Sequence, residues 1–138
     1  MLTGSCLCGD IRYEVDGELG PIGHCHCRTC QKSHAAPFAT TARVDRDKFR
    51  WTRGADRVAN FESTPATESS PGKKRFFCAR CGAHLMAAWD NAPFVIVRVG
   101  SIDGDLGAKP LIHIWTSHKA PWFEITDGLP QYAEGKAK

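Results

Sequence analysis

Residues 4–9 read Gly4-Ser5-Cys6-Leu7-Cys8-Gly9, and far downstream residues 78–82 read Cys78-Ala79-Arg80-Cys81-Gly82. Each pair of thiols is followed by a glycine, which lets the backbone turn behind a metal ligand. One zinc ion drawing the two pairs together would close a long loop and fasten the first strands to the middle of the chain. Such a site adds folding energy because the unfolded chain holds no preformed cage. The spacing also permits Cys6 and Cys8 to pair with Cys25 and Cys27, so the pairing is open at this level.

The remaining cysteines lie in one local run, His24-Cys25-His26-Cys27-Arg28-Thr29-Cys30. Seven cysteines in all cannot form a complete disulfide framework, and a bridge inside Cys-x-Cys would be strained. Disulfide-bonded or redox-active thiols are the competing reading of the same count. Taken as four plus three, the set gives one closed tetrathiolate zinc site and one three-thiolate zinc site with an open position. Three thiolates donate much electron density, so the second zinc is a weak maker of hydroxide. A soft, open site suits instead a substrate thiol entering as fourth ligand and staying deprotonated near neutral pH. A histidine or water in that position would make the second site purely structural.

The rest of the composition is ordinary for a soluble single domain of 138 residues, with 42% apolar and 24% charged residues. The formal charge of +3 falls to near zero once seven thiols ionise and two zinc ions bind, which removes the charge argument for a nucleic-acid partner. Lys73-Lys74-Arg75 reads as a solvated strand end beside a turn. No basic leader precedes an apolar run, and no apolar run is long enough to span a membrane. Ligand thiolates suit a reducing cytoplasm.

Along the chain, Leu2 to Cys6 and Gly9 to Val15 are expected as two short strands joined by the first cysteine turn. Ile11, Tyr13 and Val15 alternate with Asp10, Arg12 and Glu14, giving one apolar and one wet face. Further strands are expected at Pro21 to Cys25, at Phe38 to Val44, Phe49 to Thr52 and Val58 to Glu62 as a meander, and at His84 to Ala88, Phe94 to Val99 and Leu111 to Trp115. A short helical turn fits Arg28 to His34, ended by Pro37. Ser63 to Gly72, rich in Ser, Thr, Pro and Gly, reads as a loop. The sum is a mainly antiparallel β domain with little helix.

The motifs Gly4-Ser5-Cys6-Leu7-Cys8-Gly9-Asp10-Ile11-Arg12-Tyr13, His24-Cys25-His26-Cys27-x-x-Cys30 and Arg75-Phe76-Phe77-Cys78-x-x-Cys81-Gly82 together resemble the glutathione-dependent formaldehyde-activating (GFA) family, also called the CENP-V domain family. His113-Ile114-Trp115, Lys119-Ala120-Pro121-Trp122 and Leu129-Pro130 extend the likeness over nearly the whole chain. The resemblance implies a mainly β, Mss4-like antiparallel domain over residues 1–138. It implies a structural zinc on Cys6, Cys8, Cys78 and Cys81, and a catalytic zinc on Cys25, Cys27 and Cys30. It also implies carbon–sulfur lyase chemistry on a small thiol such as glutathione and a small aldehyde, as in S-(hydroxymethyl)glutathione synthase. The alternative is a non-enzymatic zinc-binding interaction module, with a filled second site or an exposed aromatic and basic face.

Around that second site, His26 sits between two ligands and should point away from them, toward a supporting hydrogen bond. Arg28 and Lys32 can attract a carboxylate of a glutathione-like ligand, against a default role as solvated bases. His24, His34 and His113 are candidates for the pocket rim. Trp115, Trp122 and Phe123 either wall the open zinc or close the small core, with core packing the default. Asp103, Asp105 and Asp127 lie near glycines and read as turn formers. No phosphate-binding glycine loop, nucleophile elbow or dinucleotide signature is present.

Overall fold

A computed structural model describes residues 1–64 and 72–135. Eleven strands run β1 (Leu2–Ser5), β2 (Arg12–Val15), β3 (Gly23–Cys25), β4 (Ala39–Asp45), β5 (Phe49–Arg53), β6 (Val58–Glu62), β7 (Lys74–Cys78), β8 (His84–Ala88), β9 (Phe94–Arg98), β10 (Ile102–Asp103) and β11 (Ile112–Ile114). Among the described residues one α-helix, α1 (Arg28–His34), joins β3 to β4, matching the expected helical turn. The described strands form a four-stranded sheet, β10-β1-β2-β5, and a seven-stranded sheet, β11-β3-β4-β9-β8-β7-β6, so β4, β5 and β6 do not make the expected meander: β5 crosses to pair with β2. All strand pairs are antiparallel except β3 with β11. The expected loop between Ser63 and Gly72 falls largely on residues 65–71, outside the described residues. Among the described residues no helix is long and apolar enough to cross a membrane.

The core lies between the two sheets. Ile11, Tyr13 and Val15, the apolar half of the alternation, have no solvent exposure, and they pack with Val44, Leu85, Met86, Val95 and Val97. Gly4 faces Tyr13 across the β1–β2 ladder, and a Cβ there would lie 2.1 Å from the phenol ring. That close approach admits only glycine.

Register divides the large sheet into two faces. Val44, Val95, Val97, Met86, Phe76 and Cys78 alternate onto the face that meets the small sheet. The opposite face takes Cys25, its partner Ala39, then Thr41 paired with Arg98, and Ile96. It continues through Ala87, Arg75 and Phe61. One face therefore makes the core, and the other carries α1 and an uncommon density of buried polar chemistry.

Candidate metal centres

The preferred pairing of the split motif is the one the fold makes. Cys6 follows β1, Cys78 ends β7, and the sulfurs of Cys6, Cys8, Cys78 and Cys81 all lie within 4.8 Å of one another. The alternative pairing of Cys6 and Cys8 with Cys25 and Cys27 is not formed. Cys6 and Cys8 sulfurs are 3.6 Å apart, and Cys8 and Cys78 sulfurs 3.8 Å. A tetrahedron with zinc–sulfur bonds of about 2.3 Å has edges of about 3.8 Å, so the four sulfurs fit that ion. All seven cysteines are free thiols.

Backbone donors hold this cluster. Ile11 N–H donates to Cys6 Sγ at 3.3 Å, and Arg80 and Cys81 N–H groups donate to Cys78 Sγ at 3.4 Å. Such bonds favour thiolate over thiol. Gly9 and Gly82 adopt φ of +82° and +77°, the left-handed conformation that closes each knuckle, and their N–H groups donate to the Cys6 and Cys78 carbonyls at 3.2 and 2.9 Å. Against the cost of burial, the Ala83 and Cys8 amides hold the Cys81 thiol down at about 6.

The second cluster lies on the opposite face. Cys25 ends β3, Cys27 caps the N-terminus of α1 and Cys30 lies in its first turn, with exposures of 7%, 8% and 1%. Their sulfurs also fall within 4.8 Å of one another, and three soft donors again fit zinc. Cys27 Sγ accepts from Cys30 N–H at 3.4 Å. Ala39, Ile114 and Trp115 pack over the group. Trp115 takes a left-handed conformation (φ 57°) directly after β11, which turns the chain there. Hydrogen bonding to Cys25 and Cys27 pulls the Cys30 thiol down, helped by Arg98 and Lys73, while the same contacts push Cys25 up.

Lys73-Lys74-Arg75 is not a solvated strand end. Lys73, just before β7, and Arg75, which β7 turns inward, are 8% and 4% exposed. Arg75 donates from Nη2 to Thr29 Oγ1 at 3.1 Å and to Cys30 Sγ at 3.8 Å, and from Nη1 to Ser63 Oγ at 3.0 Å. It ties β7 to the helix that carries Cys30. Lys73 places its ammonium 5.3 Å from the centre of the Trp89 ring.

A cavity of about 620 Å³ is lined among others by Arg28, Thr29 and Lys32 of α1, Arg75, Phe77 and His84; the three cysteines do not line it, and it meets them through Thr29 and Arg75, which contact Cys27 and Cys30. The other candidates have different places. His26 is fully buried, its Nε2 2.8 Å from His113 Nδ1, and His113 Nε2 is 2.9 Å from an Asp127 carboxylate oxygen. The Asp127 carboxylate can only accept, so His113 Nε2–H donates to it, and His113 Nδ1 accepts from His26 Nε2–H. Burial, with His113 next, pushes His26 down to about 4 and keeps it neutral. His24 Nδ1 lies 2.9 Å from Thr40 Oγ1. The His34 ring sits 4.8 Å from that of His84. Phe123 packs against Phe38, whereas Trp122 is 70% exposed and serves neither core nor site wall.

Four contributors went unread in the sequence: Arg98, buried on β9; Asp127, which holds His113 as well as its own turn; Gln31; and Arg75 as a side chain touching sulfur. Gln31 is buried and donates to the carbonyls of His26 and His118 at 2.7 and 2.8 Å, strapping α1 to two loops. Arg75 had a signal, its odd-numbered alternation with Phe77 before Cys78. The others depend on long-range pairing that no local pattern displays.

Comparison with known proteins agrees with this geometry. A family model described as glutathione-dependent formaldehyde-activating enzyme matches residues 1–118. A Halomonas elongata protein, provisionally named a glutathione-dependent formaldehyde-activating enzyme, is 30% identical over 129 residues, covering 91% of this chain and 81% of its own. A solved Rhodobacter sphaeroides structure is similar with a TM-score of 0.60 and 25% identity, over 78% of this chain and 97% of that one.

Proposed function

Because this chain belongs to the glutathione-dependent formaldehyde-activating family, we propose that it is a zinc-dependent carbon–sulfur lyase handling adducts of a small thiol with a small aldehyde. In this reading Cys6, Cys8, Cys78 and Cys81 hold a structural zinc, and Cys25, Cys27 and Cys30 hold a second, catalytic one. The observation that carries the reading is an incomplete donor set, joined through Thr29 and Arg75 to a cavity that the sulfurs themselves do not line. Three buried sulfurs converge without a fourth Cys, His, Asp or Glu grouped with them among the described residues, and cationic side chains line that cavity.

Zinc bound by the trio would supply a Lewis-acid centre that keeps an entering thiol deprotonated near neutral pH. The chain's own residues do the rest. Arg28 and Lys32, facing the cavity, attract and orient the carboxylates of a glutathione-like thiol. Arg75 fixes Cys30 and Thr29 relative to β7, and Ile114 and Trp115 keep water off the sulfurs. In the forward direction the thiolate sulfur attacks the aldehyde carbon and a carbon–sulfur bond forms. The carbonyl π pair moves to oxygen, which takes a proton; cleavage is the reverse.

The full 138 residues are read as one domain acting in the cytoplasm, with no nucleic-acid or membrane partner. The test is exchange between free formaldehyde and its glutathione adduct, followed by NMR with zinc-loaded protein. Acceleration is expected, with Cys30→Ser abolishing it. No acceleration over several thiols and aldehydes would favour a non-enzymatic zinc module.

A further inference from the structure

Arg98 is the least expected residue of the cysteine face. It is 3% exposed, and its Nε and Nη2 have no hydrogen-bond partner. Among the described residues no carboxylate lies within ion-pair distance of it. A guanidinium does not lose its proton in a protein, so a buried one needs a negative neighbour. Register places Arg98 opposite Thr41, two residues along β4 from Ala39, which pairs with Cys25. Its charged and titratable neighbours are Cys30, Cys25 and Cys27 on the negative side, and Arg75 with the His34 and His84 rings on the other. Burial pushes Arg98 down, and the largest opposing influence is Cys30. The three sulfurs are therefore its counter-charge.

The charge of the site then matters. Three thiolates around a divalent zinc carry a net charge of about −1. A neutral fourth ligand leaves that value, while a thiolate in the fourth position takes it to about −2. Two buried guanidiniums, Arg98 and Arg75, face this cluster, and the doubly negative form matches them better. We propose that Arg98 is a positioning residue that makes the open site of the trio select an anionic thiolate over a neutral fourth ligand such as imidazole. The proposal rests on the function proposed above, in which a thiol enters that position. It adds the residue that sets the preference.

The test uses zinc-loaded full-length protein, as wild type, Arg98→Met and Arg98→Lys, with zinc content checked in each. Every sample is titrated calorimetrically at one fixed pH with 2-mercaptoethanol and separately with imidazole. The thiol carries no carboxylate, so Arg28 and Lys32 do not enter the comparison. Loss of a residue supporting a metal site lowers affinity about 10–100-fold. Arg98→Met is expected to weaken 2-mercaptoethanol by that factor and leave imidazole unchanged, and Arg98→Lys to restore most of the thiol affinity. Should the Met variant not fold, Arg98→Gln is read in its place by the same criteria. Equal losses for both ligands, no loss for either, or a Lys variant as weak as the neutral one would overturn the role of Arg98. A wild type that binds no thiol at all would refute the function itself, whereas unchanged thiol binding across the variants would refute only this inference.

Discussion

The two cysteine clusters use the same ligand atom but are held by different parts of the protein. Backbone amides of the two knuckles secure the sulfurs of Cys6 and Cys78, and the cluster sits against the core between the sheets. The trio has a cap amide, but it is surrounded by side chains, with Arg75 touching Cys30 and Arg98 buried nearby. Backbone donors move only if the fold moves, which suits a site whose task is to hold. Side-chain charges can be chosen independently of the fold, which suits a site whose task is to discriminate. The contrast also explains why seven cysteines divide unequally: four complete a cage, while three leave room for a ligand from solution.

The most severe way to break this contrast is to remove one ligand from each cluster. Cys78→Ser should lower the melting temperature on the order of 10 °C or more, because it breaks a site coupled to folding that is packed against the core. Cys30→Ser should cost only a few degrees, about 5 °C or less, while one of the two zinc ions is lost. Differential scanning calorimetry with metal analysis separates the two. Equal melting losses would merge the clusters into one structural class.

A smaller effect is expected at the cavity. Replacing Arg28 and Lys32 by Ala together should raise KM for glutathione about tenfold with little change in kcat, and leave a neutral thiol unaffected. Steady-state kinetics with glutathione and 2-mercaptoethanol would show it, and an equal rise for both thiols would dissociate these residues from carboxylate binding.

How much of this was legible beforehand follows from the range of each signal. Ile11, Tyr13 and Val15 announced their burial by alternation, and Arg28 to His34 announced its helix by local composition, because both signals are complete within a few residues. The pairing of Cys6 and Cys8 with Cys78 and Cys81 could be argued from spacing and count, though the same spacing also permitted the less favoured pairing with Cys25 and Cys27. Arg75 and Lys73 were misread because a run of bases defaults to solvent, whereas the strand pairing of β7 turns Arg75 inward and Lys73 is buried just before it. Arg98 and Asp127 gave no local sign at all. Their roles arise where β9 meets β4 and where the chain after β11 returns to His113.

The pH response sharpens the comparison further, since buried imidazoles lie on the trio face. Burial, then Arg98 and His84, depress His34 from an ordinary 6.5 to about 4. The unfolded chain therefore takes up this proton at higher pH than the folded one. The resulting stability is complete above pH 6.5 and is lost as pH falls toward 4. Thermal melts should decline over that window, and His34→Asn should decline less steeply. Parallel curves would show that His34 does not contribute. The smallest expected effect is Trp122→Ala, on a side chain 70% exposed, which should stay within about 0.5 kcal/mol of wild type by chemical denaturation.

Zinc-edge X-ray absorption, before and after adding 2-mercaptoethanol, addresses the difference between the clusters most directly. One filled and one open site predict an average rising from about 3.5 to about 4 sulfurs per zinc. An average that does not change, with a histidine nitrogen bound from the start, would make both sites structural and contradict the account.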